Sequence, residues 1–144
     1  MNNKSPIYFF KEGVSFRLLS QAAVKSWILK AFKENNNTVR DINYIFCSDK
    51  YLLKLNKEYL GHNYFTDIIT FDNSTEQGMV EADIFISSER VLANAKKFGG
   101  TFKDELHRVM IHGALHLMGY KDKNARDEKA MRQAEAYWLG KRRF

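Results

Sequence analysis

Apolar residues recur along this chain with two different periods, and the switches between those periods divide it into elements. Residues 7–10 and 14–18 read as short strands around a turn at Gly13. Ser20 is placed to cap a helix on which Ala23, Val24, Trp27, Ile28, Ala31 and Phe32 share one face, until Asn35, Asn36 and Asn37 end it. Residues 39–47 form a strand candidate apolar enough to be covered on both faces. Ser48 opens a second helix, with Leu52, Leu55 and Tyr59 predicted to face inward and Gly61 to stop it. Two more strands, 67–71 and 79–86, flank a polar turn at 73–78. Ser87 or Ser88 starts a helix that runs to Phe98 and breaks at Gly99 and Gly100. Thr101 with Asp104 resembles a capping box for a helix that reaches Met118 and closes at Gly119. Asn124, followed by Asp127 and Glu128 in the first turn, begins a last helix predicted to bury Ala130, Met131, Ala134, Tyr137 and Trp138. About four strands and about five helices in mixed order predict an α+β fold, a small mixed sheet flanked by helices.

Composition narrows the picture. The 144 residues suit one domain over 1–144, with no repeat, no low-complexity tract and a single proline, so no linker is expected. No stretch approaches the roughly 18 consecutive apolar residues of a membrane span. The opening MNNKSPIYFFKEG lacks the apolar core and cleavage site of a secretory leader, so a cytoplasmic protein without a membrane role is expected. Cys47 is the only cysteine. That excludes an intrachain disulfide and an all-thiolate metal site, and its apolar neighbours Ile45 and Phe46 mark it as a core residue. A net charge of +6 is compatible with a polyanionic partner, since basic side chains displace counterions from phosphates. The basic residues are scattered, and the closing run Lys141, Arg142 and Arg143 reads as a solvated helix end.

Candidate chemistry gathers near residue 115. His112 and His116 lie four apart in helical patterning, so their Cβ atoms should sit about 6 Å apart on one face. Two imidazoles so placed can meet one ion at the roughly 2.0–2.1 Å of zinc–nitrogen bonds. Gly119 lets the chain reverse, which can bring Asp122 back over the pair. The pair alone is weak evidence, because four histidines in such a chain give this spacing by chance roughly one time in twelve, and a satisfied histidine pair is the ordinary alternative. The zinc-protease pattern H-E-x-x-H is not met, because Gly113 stands where that glutamate would act as general base. A two-histidine, one-carboxylate iron oxygenase has these ligand types but a different spacing.

The segment from His112 through Gly113, Leu115, His116, Leu117, Gly119 and Tyr120 is similar to the signature H-G-x-L-H-L-x-G-Y-D-H of the YbeY-type endoribonucleases, or rRNA maturation factors. Leu55-Asn56-Lys57-Glu58-Tyr59 resembles that family's L-N-x-x-Y-R, Thr66 to Phe71 its T-D-V-L-S-F, and Glu81 to Ser87 its G-D-I-x-I-S. The resemblance implies an α+β fold, one zinc ion per chain held by the two motif histidines and a third ligand, and cleavage of single-stranded ribosomal RNA during small-subunit maturation. Ribosomal RNA and small-subunit proteins are the partners it implies; no nucleotide cofactor is expected.

The last two fixed positions of the signature differ, as Lys121 and Asp122, and two departures from the pattern matter for the chemistry. The family's third histidine is Asp122 here, an acceptable zinc ligand that also makes Mn2+ or Fe2+ more welcome. The family's arginine after Tyr59 is Leu60, which cannot clamp a phosphate. Lys121, Lys123, His62 and Arg126 are the nearby candidates to replace it. The expected chemistry is an ion that polarises a phosphoryl oxygen or activates water at a phosphodiester. Glu105, two turns before His112, is expected to form a surface ion pair rather than serve as base. The competing reading is a ribosome-assembly binding factor whose metal is structural, with little or no nuclease activity.

Overall fold

Strong local signals fix the helix boundaries. In a computed structural model describing residues 5–144, Ser48, Ser87, Thr101 and Asn124 each accept a hydrogen bond from the backbone N–H three residues on. Residues 1–4 of the stretch read for a leader lie outside the described part. The element order is β1 (Ile7–Glu12), α1 (Gln21–Glu34), β2 (Thr38–Cys47), α2 (Asp49–Leu60), β3 (Ile68–Asp72), β4 (Met79–Ser87), α3 (Ser88–Phe98), α4 (Phe102–Leu117) and α5 (Ala125–Leu139). The strands form one sheet ordered β1-β2-β4-β3, with β1 and β4 parallel to β2 and the β3–β4 pair antiparallel. This is the single-domain α+β architecture predicted from the pattern. Among the described residues, no helix is long and apolar enough to cross a membrane.

The two faces of the sheet follow the two-residue period of its strands. Ile42, Tyr44 and Phe46 of β2 and Val80, Ala82, Ile84 and Ile86 of β4 join the main core with α1, α4 and α5. The opposite face is smaller: Cys47, Leu52 and Ile69 are buried there, with Leu55 of α2 and Phe85 of β4 packed against them. Cys47 is the inert core residue expected, its thiol pushed up to about 12 by burial with help from nearby carboxylates. α4 runs through the middle of the larger layer, against β3, β4, α1, α3 and α5. The buried Tyr44 hydroxyl donates to the Met110 carbonyl at 2.9 Å, which ties α4 to the sheet just before His112.

Five local expectations are corrected. Residues 14–18 do not form a strand. Leu18 is buried and Phe16 packs edge-on against Phe46 and Phe102, so the alternation reports which side faces the core, while β1 takes its ladder from β2 instead. Ser20 stands before α1 with φ 55° and no side-chain cap. On α2 the inward position is held by Asn56, and Tyr59 is 66% exposed. On α5, Ala130 and Tyr137 face solvent, while Glu135 is buried beside Met131 and Trp138. The closing basic run is not simply solvated either: Arg142 donates to Asp104, and its other close neighbour is the buried His107.

Candidate metal centre

His112 and His116 occupy the last two turns of α4, where the helix emerges from the core, and both are half-buried. Their rings stand 4.6 Å apart at 82°. The helix then ends in a glycine-dependent reversal: Gly119 takes φ 107°, its N–H donates to His116 O, and the Tyr120 N–H donates to Leu115 O. Tyr120 packs back on the core, which directs the following loop over the helix end. Asp122 Oδ2 arrives 3.3 Å from His116 Nε2 and 3.6 Å from His112 Nε2. Three ligand atoms thus lie within 4.8 Å of one another, a group that could hold a metal ion.

The spacing fits a small cation. Ligands roughly 2.0–2.2 Å from a tetrahedral zinc lie about 3.3–3.6 Å from each other. Both distances from Asp122 fall in that interval. The donor types, two imidazoles and one carboxylate, match an open catalytic set with one position left for water or substrate.

Behind the histidines lies a network that the sequence did not announce. His112 Nδ1 donates to Glu135 Oε2 at 2.6 Å, so Nε2 is the nitrogen left for an ion. Glu135, only 3% exposed, also accepts from Arg108 Nη1 at 3.2 Å. Arg108 forks onto Glu105 at 2.9 and 2.7 Å and lies 3.9 Å from Asp67. Glu105 is therefore an ion-pair partner, but a largely buried one at 11% exposure rather than the surface salt bridge expected for it. Burial would raise the Glu135 carboxyl, but the His112 hydrogen bond, with the His112 and Arg108 charges, outweighs that and holds it below the usual range. Asp67 behaves in the opposite way: burial dominates and raises its carboxyl despite Arg108 and His112. The available signal for Glu135 was a lone carboxylate on the apolar stripe of α5, between Met131 and Trp138.

An open groove of about 480 Å³ runs past the triad. Asp67, Asp72, Leu60, His62 and Tyr64 line it along with His112, His116 and Asp122, and among the described residues no lysine or arginine does. Of the four candidates to replace the missing arginine, only His62 reaches this groove; Lys121, Lys123 and Arg126 are exposed elsewhere. Leu60 is 45% exposed on the groove wall.

The family model for endoribonuclease YbeY matches residues 12–142. An endoribonuclease YbeY of Cytophaga hutchinsonii is 49% identical over 138 residues, covering 96% of both chains. One of Christiangramia forsetii is 47% identical and covers 92% of this chain and 91% of its own. A solution structure of a Thermotoga maritima protein superimposes with a TM-score of 0.62 at 26% identity, over 92% of this chain and 86% of that one. With its motif histidines converging beside an open groove and relatives matching almost end to end, the chain belongs to the YbeY family of endoribonucleases.

Proposed function

We propose that this endoribonuclease is metal-dependent, holds one zinc ion through His112, His116 and Asp122, and cuts single-stranded ribosomal RNA during small-subunit maturation. The observation that carries the metal reading is the convergence of three ligand atoms at 3.3 and 3.6 Å, with the far nitrogen of His112 already fixed by Glu135. Zinc held there supplies Lewis acidity toward a phosphoryl oxygen and toward water. Glu135 keeps His112 in the ligating tautomer, and Arg108 holds Glu105 and Glu135 in place behind it. Asp67, the groove carboxyl that burial raises, is the group we assign to proton transfer. The carboxylate ligand also suits Mn2+ or Fe2+, so metal analysis of the purified protein is part of the test.

The net charge of +6 supports a polyanionic partner, which we take to be ribosomal RNA, met beside small-subunit proteins in the cytoplasm. Purified protein, with and without a chelator, is given single-stranded and structured ribosomal RNA fragments. Loss of cleavage on chelation and return with zinc is the expected result. Equal cleavage in both samples overturns the reading.

Leu60 favours the second reading, an assembly factor with a structural metal, because it leaves the groove without a phosphate clamp. Against it, the Asp122 side chain is 47% exposed, and a metal that staples a fold is usually enclosed. His116→Ala separates them: a folded protein that has lost rRNA maturation supports catalysis, and an unfolded one supports the structural role.

A further inference from the structure

The loop between α2 and β3 presents an aromatic pair that the core does not use. His62 and Tyr64 stack with ring centroids 5.1 Å apart and 18° between planes, and the Tyr64 hydroxyl lies 3.0 Å from His62 Nδ1. Both residues line the groove that holds the metal-ligand triad, and neither belongs to a hydrophobic cluster of the fold. Tyr64 is 56% exposed, and His62 covers one side of its ring.

The pair is held firmly. Gly61 caps α2 with φ 68°, and the His62 N–H donates back to the Asn56 carbonyl at 3.1 Å. The Asn56 side chain, buried to 1% exposure, donates to the Tyr64 carbonyl at 2.9 Å. A buried amide is thus committed to fixing the backbone of an exposed tyrosine. A surface ring with no role beyond solvation does not need that anchor, and a pre-positioned ring loses little entropy when it binds.

The groove's charge narrows what the ring can bind. Among the described residues no lysine or arginine lines it, whereas Asp67, Asp72 and Asp122 do, and Leu60 adds apolar wall. Side chains of the groove therefore offer a phosphate only the neutral donors of residues such as His62, Thr66 and Thr70, and the largest contact they offer to RNA is an aromatic face. We propose that Tyr64, backed by His62, is a stacking platform for one unpaired RNA base beside the His112, His116 and Asp122 triad. This rests on the RNA-cleaving reading above and adds the residue that grips the substrate. Stacking needs a splayed base, so the platform selects unpaired over paired RNA at the cutting site.

The test uses the full chain in chelator, so that RNA stays intact, and fluorescence anisotropy with two labelled probes: an eight-nucleotide oligouridine RNA and the same ribose-phosphate backbone without bases. The unsubstituted protein should bind the base-bearing probe about 5- to 100-fold more tightly, the usual worth of one aromatic stack. Tyr64→Ala should bring that ratio near one while leaving affinity for the abasic probe within about threefold. Tyr64→Phe keeps the ring without the hydroxyl bond and should keep the ratio, which separates stacking from loop integrity. A ratio unchanged in Tyr64→Ala, or lost equally in Tyr64→Phe, overturns the platform and leaves the nuclease reading standing. Failure of the unsubstituted protein to prefer the base-bearing probe also overturns the platform, whereas the nuclease reading falls only with the cleavage test above.

Discussion

Replacing Glu135 by Gln tests how much of the site is built behind its ligands. The carboxylate accepts two hydrogen bonds, from His112 Nδ1 at 2.6 Å and from Arg108 at 3.2 Å. An amide of the same shape has one acceptor and one donor, so it satisfies only one of these partners. With its oxygen toward His112, its NH2 meets the Arg108 guanidinium, donor against donor. Turned over, it donates to His112 Nδ1 and pushes the ring proton onto Nε2, the nitrogen an ion needs. The first orientation weakens the fold: a charged hydrogen bond is worth about 1.5–3 kcal/mol, reduced here because Arg108 keeps its fork on Glu105. A loss of about 1–2 kcal/mol should lower the melting temperature of the chelated protein by about 4–8 °C. The second orientation weakens the site, and loss of such a supporting carboxylate typically costs 10- to 100-fold in metal affinity, about 1.4–2.8 kcal/mol. Competition against a chromophoric chelator gives zinc affinity, and thermal unfolding in chelator gives stability. A lower melting temperature with zinc affinity within threefold of the original would refute the reasoning and leave Glu135 a fold anchor alone.

Other expectations follow from the same geometry. Asp67→Asn should fold and bind zinc normally but cleave about 100- to 10,000-fold more slowly, read as kcat on a single-stranded RNA substrate. Burial, with help from the Arg142 and Lys103 charges, holds the His107 imidazole down at about 4 against the ordinary 6.5. The unfolded chain therefore takes up a proton that the folded one refuses. About 3 kcal/mol of stability, fully present above pH 6.5, should be lost as pH falls toward 4, and His107→Asn should flatten that slope in urea unfolding. Gly113→Ala would put a methyl 2.8 Å from Ile68 Cδ1 and 3.2 Å from the buried Ile84 Cγ2. Helix propensity gains about 1 kcal/mol and overpacking loses about 1–3, so the melting temperature should drop by roughly 4 °C. A rise would mean that Ile68 swings aside freely.

What could be read from the sequence was local. Ser48, Ser87, Thr101 and Asn124 cap their helices because a cap needs only its own next three residues. The candidate ligands were legible for a similar reason: His112 and His116 are neighbours on one helix, and Asp122 follows after a single glycine turn. The errors came from partners distant in sequence. Residues 14–18 have a strand's alternation, but the open edge of β2 was already taken by β1. Glu135 shares the apolar stripe of its helix with Met131 and Trp138, but nothing nearby in sequence names a partner for its charge. It is buried because Arg108 and His112, 27 and 23 positions earlier, meet it in the core. Tyr59 lost the inward position to Asn56, whose amide has a carbonyl to hold in the next loop.

The bare Cα of Gly113 also limits what this scaffold can become. Zinc peptidases carry a glutamate at the position after their first histidine, and here that position faces Ile68 and Ile84 of the sheet, already too close for one methyl. A glutamate would have to drive α4 off the sheet, disturbing the very histidines it was meant to serve. Evolution from this fold toward peptide hydrolysis by that single substitution is closed by packing, whatever the chemistry of the ion.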